Sequence, residues 1–363
     1  MSDRVFDENA FITLVKERII ENAYTYFESE DIGKCSVHLV PHPFRSDNPI
    51  YVFEIRMNSE TLKNTILAKR LLPHITSQEA PKREYEMLKM LYENSTMVER
   101  RYFVPRPFDH FDDVRTILIE KVEGTKLTGL IREENKIFSR DSRTMLESFM
   151  KKCGDCLKII HAITSTGKSV TLSSEIFHDL FHKIQTNYGY LIGRNVIVNR
   201  IRETFQNLIE KAREKIKQTE FPLVRQHGDY YLGNILVRGE DLIILDFSFT
   251  RENIIYHDLS RFLISLDFLN PYPHNFFFNF KNIHIFKKRF LEGYFAEVSD
   301  ITNMDWLLLY LYNIKNILRH WLRRYDHYSS PRLKGRLYFS ALNVIYNRKL
   351  REELEEITKL TTQ

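Results

Sequence analysis

The stretch from His227 to Asp246 constrains this 363-residue chain more than any other part of it. Two short apolar runs are joined there by residues 238–241, Arg-Gly-Glu-Asp, which are typical of a β-turn. Asn234 precedes the first run and Asp246 follows the second, so a hairpin would bring both side chains to the same end of its strands. Asp229 would then lie on the loop that enters the hairpin. These polar residues are the first candidates for a functional site.

The chemistry of these side chains indicates metal-assisted phosphoryl transfer. Amide and carboxylate oxygens suit Mg²⁺, which takes few protein ligands and keeps the rest of its coordination shell for phosphate and water. Asn234 and Asp246 are therefore predicted metal ligands. Asp229 is placed to accept a proton from an attacking hydroxyl group, or to orient that group, and is the predicted catalytic residue. The alternative is an ordinary surface hairpin with polar ends.

The same order of residues occurs in protein kinases. Those enzymes carry His-Arg-Asp, then Asn after four intervening residues, then Asp-Phe-Gly. Here Gly228 stands in place of the arginine and Ser248 in place of the last glycine. Four residue types are rarely matched in one order by chance, so the pattern favours a phosphoryl-transfer site over the surface hairpin.

A cation for the nucleotide phosphates, and a carboxylate to hold it, are also present. Lys69 lies within an apolar predicted strand, where its charge is costly unless it faces a cleft and has a partner. Glu84, near the start of the next predicted helix, is the preferred partner. Glu86 lies about 200° further around that helix and is expected to face elsewhere. A lysine that extends from an edge strand to water is the alternative.

The periodicity of apolar residues predicts an α+β fold of two lobes with a hinge near residues 122–125. The first lobe, residues 1–122, is predicted to bind nucleotide. It opens with an amphipathic helix and has a second helix from about Gln78 to Glu93. Its five predicted strands are Ser36–Val40, Ile50–Arg56, Thr65–Leu71, Arg106–Phe111 and Arg115–Val122. Residues 123–363 predict a mostly helical lobe that one short strand pair interrupts. An adenine edge would meet backbone groups at the hinge, so Glu120 and Val122 are candidates for that contact.

Composition excludes several other classes of protein. The chain is 43% hydrophobic and 28% charged, which is typical of a folded globular protein. Its net charge of +5 is too small to predict nucleic-acid binding. The first residues do not resemble a signal peptide, and the apolar run Trp306–Tyr312 is too short to span a bilayer. The sparse set of three cysteines suits a reducing compartment, so a cytoplasmic location is expected. Cys153 and Cys156 lie in a helical pattern and do not indicate a zinc or redox site.

Together these residues resemble the aminoglycoside phosphotransferase and choline kinase superfamily, the small-molecule branch of the protein-kinase-like fold. The resemblance runs from about Pro49 to Leu266, and its most specific part is the His-Gly-Asp, Asn and Asp-Phe pattern. It implies ATP or GTP as co-substrate, Mg²⁺, Asp229 as the catalytic aspartate, and Asn234 and Asp246 as metal ligands. It also implies a five-stranded antiparallel sheet in the first lobe and the acceptor pocket in the second.

Three further positions bear on this resemblance. The loop at residues 42–49 contains no glycine, whereas protein kinases cover the phosphates with a glycine-rich loop. Family members often use a serine and a short polar turn there, which makes Ser46 and Asn48 candidates. His161 matches a family position and is expected to be structural. Asp258 is expected to cap the helix that follows it.

The acceptor is predicted less directly. Between Asn313 and Arg336 the chain has seven basic residues and one acidic residue, Asp326. They are interleaved with His320, Trp321 and Tyr325, a composition that suits anionic groups and stacking on sugars or bases. This favours a sugar, a nucleoside-like compound or a phosphate-bearing metabolite over a cationic antibiotic; a solvated basic helix is the alternative.

Other functions stay open at this stage. The aromatic cluster Phe276–Phe280 fits core packing, the wall of an acceptor pocket or peripheral contact with a membrane surface. A nucleotide-binding pseudokinase that serves as a scaffold is one alternative function, and an aminoglycoside-type antibiotic kinase is another. Affinity for DNA that falls steeply with salt would identify a nucleic-acid-binding protein instead.

Overall fold

The computed structural model describes residues 6–27, 35–41, 48–57, 63–134, 140–269, 283–328 and 333–362. The chain forms two compact units. One comprises Met1–Gly124 and Leu236–Thr250, and the other comprises Thr125–Ile235 and Arg251–Gln363. The predicted division into lobes at residue 122 stays a prediction, and it differs from these units in assigning Leu236–Thr250 to the second lobe.

The first unit contains the predicted five-stranded antiparallel sheet. The order of its strands is β1-β2-β3-β6-β5. Their bounds are β1 Cys35–Val40, β2 Ile50–Met57, β3 Lys63–Arg70, β5 Pro107–Phe111 and β6 Thr116–Glu120. In β3, Lys69 pairs with Ile50 on one side and with Ile117 on the other, so it belongs to a central strand. The α+β fold class and this sheet are confirmed.

A long helix packs on this sheet. Helix α1 runs from Glu8 to Phe27 and buries Phe11, Val15, Ile19, Ala23 and Tyr26 at a helical spacing. Phe11, Val15, Ile19 and Tyr26 join one apolar cluster with sheet residues such as Phe53 and Ile55. The amphipathic pattern in the sequence is therefore the face that packs on the sheet.

The helix that carries Glu84 follows β3. Helix α2 runs from Ala80 to Tyr92, with Pro81 in its first turn, where a missing N–H costs nothing. Glu84, Leu88 and Leu91 are buried on one face of α2, whereas Glu86 is exposed. Two short elements that were not predicted, α3 (Ser95–Glu99) and β4 (Tyr102–Phe103), come next.

The predicted hairpin forms with its turn at residues 239–240. Strand β10 (Ile235–Arg238) lies next to β11 (Asp241–Ile244), and Gly239 has a φ of 61°, which glycine adopts without strain. Strand β11 also pairs in parallel with β4, through Leu242 and Ile243. Pairing with β4 explains why the hairpin belongs with the first unit.

The second unit is mostly helical. Its elements up to the hairpin are β7 Thr125–Lys126, α4 Leu127–Glu134, α5 Arg140–Ile163, β8 Ser165–Val170, α6 Glu175–Gly193, α7 Asn199–Ile216 and β9 Phe221–Gln226. Those after the hairpin are β12 Arg251–Asn253, α8 Tyr256–Asp267, α9 Ile283–Phe295, α10 Asn303–Tyr328 and α11 Leu333–Thr362.

A small sheet in this unit was missed. Strands β12, β9 and β8 form an antiparallel sheet in that order. The prediction that one strand pair alone interrupts the helices is therefore wrong. Strand β8 reads Ser-Thr-Gly-Lys-Ser-Val and is largely exposed, and β12 has three residues, so neither carries an apolar signal.

Two glycines allow helices α5 and α9 to pack closely. A Cβ atom on Gly154 would lie 2.0 Å from the carbonyl oxygen of Phe290, and one on Gly293 would lie 2.0 Å from that of Lys151. Cys153 and Cys156 are buried on α5, and burial raises the pKa of both thiols. The cysteine pair therefore belongs to a packed helix.

Two sequence-based expectations concern membranes. Among the described residues, no helix is long and apolar enough to cross a bilayer. The aromatic cluster Phe276–Phe280 lies outside the described residues, so its predicted roles stay predictions.

Candidate active site

Lys69, Glu84 and Asp246 form a buried ionic cluster in the first unit. Lys69 Nζ lies 2.9 Å from Glu84 Oε1 and 2.7 Å from Asp246 Oδ1. Both Lys69 and Glu84 are almost fully buried, whereas the Asp246 side chain is 31% exposed. Glu84, and not the exposed Glu86, is therefore the residue that contacts the lysine.

The backbone and a serine extend this cluster. The backbone N–H of Phe247 donates to Glu84 Oε1 at 3.1 Å. Ser248 Oγ lies 2.6 Å from Lys69 Nζ and 2.5 Å from Asp246 Oδ1. Asp246 has a φ of 68°, a conformation that is costly for a residue with a Cβ and that persists where surrounding contacts enforce it. The serine that replaces the kinase glycine thus supports both charged groups.

Electrostatics keeps Lys69 charged. Burial by itself would lower its pKa, but the Asp246 and Glu84 carboxylates outweigh burial and raise the pKa of Lys69 above its ordinary value. For Glu84, burial dominates and raises the pKa of the carboxyl group despite the nearby ammonium. The cluster therefore holds one permanent cation next to the half-exposed Asp246.

The loop that carries Asp229 lies in the second unit, between β9 and the hairpin. The Asn234 amide nitrogen donates to the backbone carbonyl of Asp229 at 3.1 Å and approaches its carboxylate at 3.4 Å. The backbone N–H of Asp229 donates to His227 Nδ1 at 3.2 Å. Asn234 and His227 are buried, whereas Asp229 is part-exposed. The loop is thus fixed on both sides of a carboxylate that solvent can reach.

Asp258 holds this loop in place. Its carboxylate accepts hydrogen bonds from the backbone N–H groups of His227, at 2.7 Å, and Gly228, at 2.9 Å. His161 Nε2 lies 3.2 Å from the same carboxylate. Burial opposes the charge, but hydrogen bonds from His161 and His257 keep the pKa of Asp258 below its usual range.

The predicted role of Asp258 as a helix cap is wrong. Helix α8 begins at Tyr256, its N-cap residue is Ile255, and no side chain caps it. Asp258 lies in the first turn and is turned toward the loop instead. His161 is structural as expected, because its other ring nitrogen contacts the hydroxyl of Tyr294 at 2.8 Å.

Arg261 is a site residue that the sequence analysis missed. It forms an ion pair with Asp229, and the exposed fraction of each side chain is 21%. Its guanidinium group lies 5.7 Å from the centre of the Tyr231 ring, within the range of a cation–π contact. The sequence did hold one signal for Arg261: it follows Asp258 by three residues on α8. Residues three apart share a helix face, so both side chains can face the same loop.

The remaining predicted site residues have different surroundings. Ser46 lies outside the described residues. Asn48 is buried, and its side-chain oxygen accepts a hydrogen bond from the backbone N–H of Leu72 at 3.0 Å. The backbone N–H of Glu120 donates to the carbonyl of Arg106 at 2.8 Å. Val122 lies in the irregular segment after β6 and is half-buried. An adenine contact at Glu120 would thus use its carbonyl group.

Asn234 and Asp246, one in each unit, both carry oxygen donors of the kind that hard divalent cations prefer. Asp246 offers a half-exposed carboxylate, and the amide oxygen of Asn234 points away from the nitrogen that holds Asp229. Within the described residues, no cluster of three or more His, Cys, Asp or Glu side chains could hold a metal. One carboxylate and one amide suit Mg²⁺, which takes its other ligands from phosphate and water.

The basic segment divides into two parts in the structure. Lys315 is buried, whereas Arg319 and Arg323 are exposed on α10. Desolvation and repulsion from Arg323 and Arg261 lower the pKa of Arg319 to about 10, while Asp229 opposes this shift. Arg319 thus interacts electrostatically with Arg261, Arg323 and Asp229.

The aromatic residues of this segment are not arranged as predicted. Trp321 is fully buried and donates to the side-chain oxygen of Asn343 at 2.8 Å. His320 stacks on Phe268 with ring centres 4.6 Å apart. Trp321 therefore belongs to the core and cannot stack on a sugar, whereas His320 is half-buried with one ring face against Phe268. Arg332 lies outside the described residues, as do the side chains of Lys334 and Arg336.

Comparison with known families identifies the class of protein. The profile of the phosphotransferase enzyme family (APH) matches residues 60–299. The chain belongs to this family and is a phosphotransferase. A comparison with curated protein sequences gave no significant match.

Solved structures share the fold at low sequence identity. An ethanolamine kinase from Plasmodium vivax is 13% identical, with a TM-score of 0.55, and the match covers 97% of this chain and 94% of that one. A choline kinase from Cryptosporidium parvum is 14% identical, with a TM-score of 0.52 and 97% coverage of both chains. A glucosamine kinase is 11% identical, with a TM-score of 0.52, and the match covers 88% of this chain and 94% of that one. These likenesses establish the protein-kinase-like fold.

Proposed function

We propose that the chain is a small-molecule kinase that transfers the γ-phosphoryl group of ATP or GTP to a hydroxyl group of a small acceptor. The observation that carries this proposal is the buried contact of Lys69 with Glu84 and Asp246. A buried ionic cluster contributes little net stability compared with apolar packing, so its presence favours a functional role. The Asp229 loop supplies the second half of the machinery.

On the nucleotide side, Lys69 would bind the α- and β-phosphates while Glu84 fixes its position. Backbone groups of Glu120 and Val122 would meet the adenine edge. Ser46 and Asn48 would contribute to phosphate binding; of the two, Asn48 is described, and it accepts a hydrogen bond from the backbone N–H of Leu72. Binding of this kind orients the γ-phosphate and excludes water from it.

Asn234 and Asp246 would hold Mg²⁺ through their side-chain oxygens. The bound ion would neutralise charge on the transferring phosphoryl group. The protein's own contribution is to hold each ligand in place within its own unit. Asp246 is fixed by Lys69 and Ser248, and Asn234 is fixed by the backbone of Asp229.

On the acceptor side, Asp229 would orient the attacking hydroxyl group and accept its proton. Arg261 would hold the Asp229 carboxylate in position, since the two form an ion pair. Because Arg261 engages one carboxylate oxygen of Asp229, the carboxylate is held in one orientation. A fixed orientation suits a base that must accept a proton from a hydroxyl group in one geometry.

Charge favours an anionic or sugar acceptor over a cationic antibiotic. Arg261 forms an ion pair with Asp229, and Arg319, with Arg323 one turn further along α10, interacts electrostatically with the same carboxylate. Complementary charge governs both the rate of encounter and selectivity. An aminoglycoside-type acceptor would require carboxylates in their place. A pseudokinase that binds nucleotide as a scaffold is the other alternative; such proteins usually lose the base or a metal ligand, and Asp229, Asn234 and Asp246 are all present.

Product analysis tests this proposal. The full chain is incubated with Mg²⁺, ATP or GTP and a panel of sugars, sugar acids, sugar phosphates, nucleosides, choline and aminoglycosides, and phosphorylated products are identified by mass spectrometry. We expect a phosphorylated product from an uncharged or anionic acceptor. A phosphorylated aminoglycoside or choline would refute the acceptor class. Absence of both product and Mg²⁺-dependent nucleotide binding would refute the kinase proposal.

A further inference from the structure

A buried lysine in the second unit has no protein counter-ion. Lys315, on α10, is 5% exposed. Within the described part of the chain its ammonium group makes no hydrogen bond or ion pair, and its contact is with the face of the Tyr312 ring, 4.5 Å from the ring centre. A buried ammonium without a carboxylate partner is destabilising. Burial and the nearby Arg251 both lower the pKa of Lys315 well below its ordinary value.

Lys315 lines a cavity of about 290 Å³. The walls come from the start of α6, from strand β12 and from α10. The residues that supply polar groups to this cavity are Glu175, Asp179, Arg251, Glu252, Asn253, Tyr312 and Lys315. This volume accommodates a phosphate or carboxylate group together with the small fragment that carries it.

Hydrogen-bond donors converge on this cavity. Lys315 contributes an ammonium group and Arg251 an exposed guanidinium group. Asn253 Oδ1 accepts hydrogen bonds from Tyr312, at 3.2 Å, and from the backbone of Ile254, at 2.8 Å. Because the oxygen of Asn253 is engaged in this way, its amide NH₂ group is the part that can serve a ligand. An anion is the ligand that three such donors match.

The acidic residues that line the cavity do not act as counter-ions for Lys315. Asp179 pairs with Lys183 at 2.8 Å, and Glu252 pairs with Lys168 at 3.2 Å. Both ion pairs are at the exposed rim of the cavity, and Glu175 is exposed there as well. None of these carboxylates forms an ion pair with Lys315 in the described structure.

We propose that this cavity is an anion subsite in which Lys315, Arg251 and Asn253 bind a phosphate or carboxylate group. Lys315 and Arg319 lie one turn apart on α10, so their side chains share one face of that helix. The negative charge of Asp229 acts to raise the pKa of Arg319. Arg319 is thus an exposed cation one turn along α10 from the cavity, and we assign the anion to the acceptor. That last assignment rests on the proposed kinase function, whereas the anion subsite itself does not.

Thermal unfolding of the full chain tests the subsite. Inorganic phosphate, sulfate and citrate are each compared with sodium chloride at equal ionic strength. The variants are Lys315→Met and, as a matched control, Lys217→Met, which removes an exposed lysine just after the end of α7. For the wild type and the control we expect Tm to rise with anion concentration. For Lys315→Met we expect at least about a tenfold loss of apparent affinity.

The stability of the variant without anion gives a second readout. Since Lys315→Met replaces an unpaired buried ammonium with an apolar chain of similar length, its Tm in chloride should equal or exceed that of the wild type. Arg251→Gln, a surface substitution, provides an independent variant if Lys315→Met does not fold. An anion-dependent rise in Tm that is the same in the wild type, Lys315→Met and Arg251→Gln would overturn the proposal, as would its absence from the wild type.

Kinetics distinguishes the source of the anion. If the anion belongs to the acceptor, inorganic phosphate should compete with the acceptor, and Lys315→Met should raise the acceptor KM while kcat changes little. If a free anion acts as an effector, phosphate should alter kcat without competing. The absence of any turnover would count against the kinase function alone, because the unfolding experiment measures the subsite without it.

Discussion

The carboxylate of Asp258 accepts a 2.7 Å hydrogen bond from the backbone N–H of His227, 31 residues earlier in the chain. This contact ties the loop that carries Asp229 to helix α8. A fully buried carboxylate that accepts backbone N–H bonds replaces its lost hydration with fixed dipoles. Helix α8 thereby sets the position of the candidate catalytic loop.

Asp258→Asn should weaken both stability and turnover. The substitution removes the charge and replaces one acceptor oxygen with a donor that faces backbone N–H groups. We expect a loss of about 1–3 kcal/mol in the free energy of unfolding, measured by chemical denaturation. Asp326→Asn, at an exposed position, is the control and should change stability by less than about 0.5 kcal/mol. Equal stability of the two variants would contradict the role of Asp258.

Glu84→Gln should impair catalysis far more than Glu86→Gln. Both residues lie on α2, but Glu84 alone contacts Lys69 and the backbone N–H of Phe247. Loss of the carboxylate charge should let Lys69 shift from its position, with a fall in kcat/KM of about 100-fold. Steady-state kinetics with ATP measures this, and similar rates for the two variants would show that the ionic cluster has no catalytic role.

Arg261→Gln tests whether this residue positions Asp229. A lost hydrogen bond between charged groups corresponds to about 10–100-fold in rate. We expect the loss in kcat, with the KM for MgATP unchanged, because Arg261 belongs to the acceptor side. Arg261→Lys should restore part of the rate. If kcat is unaffected in Arg261→Gln, the ion pair does not orient the carboxylate.

Glu353→Gln tests whether the buried Glu353 carboxyl group makes the free energy of unfolding depend on pH. Glu353 is 8% exposed, and burial raises its pKa to about 7. A raised folded-state pKa gives stability that is present below the unfolded value, about 4.5, and is lost as pH rises through about 7. The stability of Glu353→Gln relative to wild type should therefore improve by about 2–3 kcal/mol between pH 5 and pH 8. Denaturation curves at both pH values measure this, and a constant difference would contradict it.

Local patterns were sufficient to predict much of the fold and part of the site. The periodicity around Lys69 and Glu84 placed one in a strand and the other on the inward face of a helix, and the two side chains meet at 2.9 Å. The turn residues near Gly239 predicted the hairpin. In each case the signal lies within one or two adjacent elements, where spacing alone decides which side chains share a face.

Features set by distant contacts could not be predicted in this way. Asp258 has the sequence position of a cap, yet its partners lie about thirty residues away. Trp321 lies in a basic segment but is fully buried. Strand β8 is polar, and it pairs with β9, which begins 56 residues later in the chain. Tertiary packing decides these cases, and one sequence carries no local record of it.

Acceptor-dependent turnover in an Asp229→Ala variant tests whether Asp229 is the catalytic residue of a small-molecule kinase. ADP or GDP formation is measured with Mg²⁺ and the acceptor found in the product screen, for wild type, Asp229→Ala and the control Asp326→Ala. We expect Asp229→Ala to lose about 10²–10⁴-fold in kcat while nucleotide binding and the free energy of unfolding remain near wild type. Acceptor-dependent turnover in Asp229→Ala at the wild-type rate would contradict this role of Asp229.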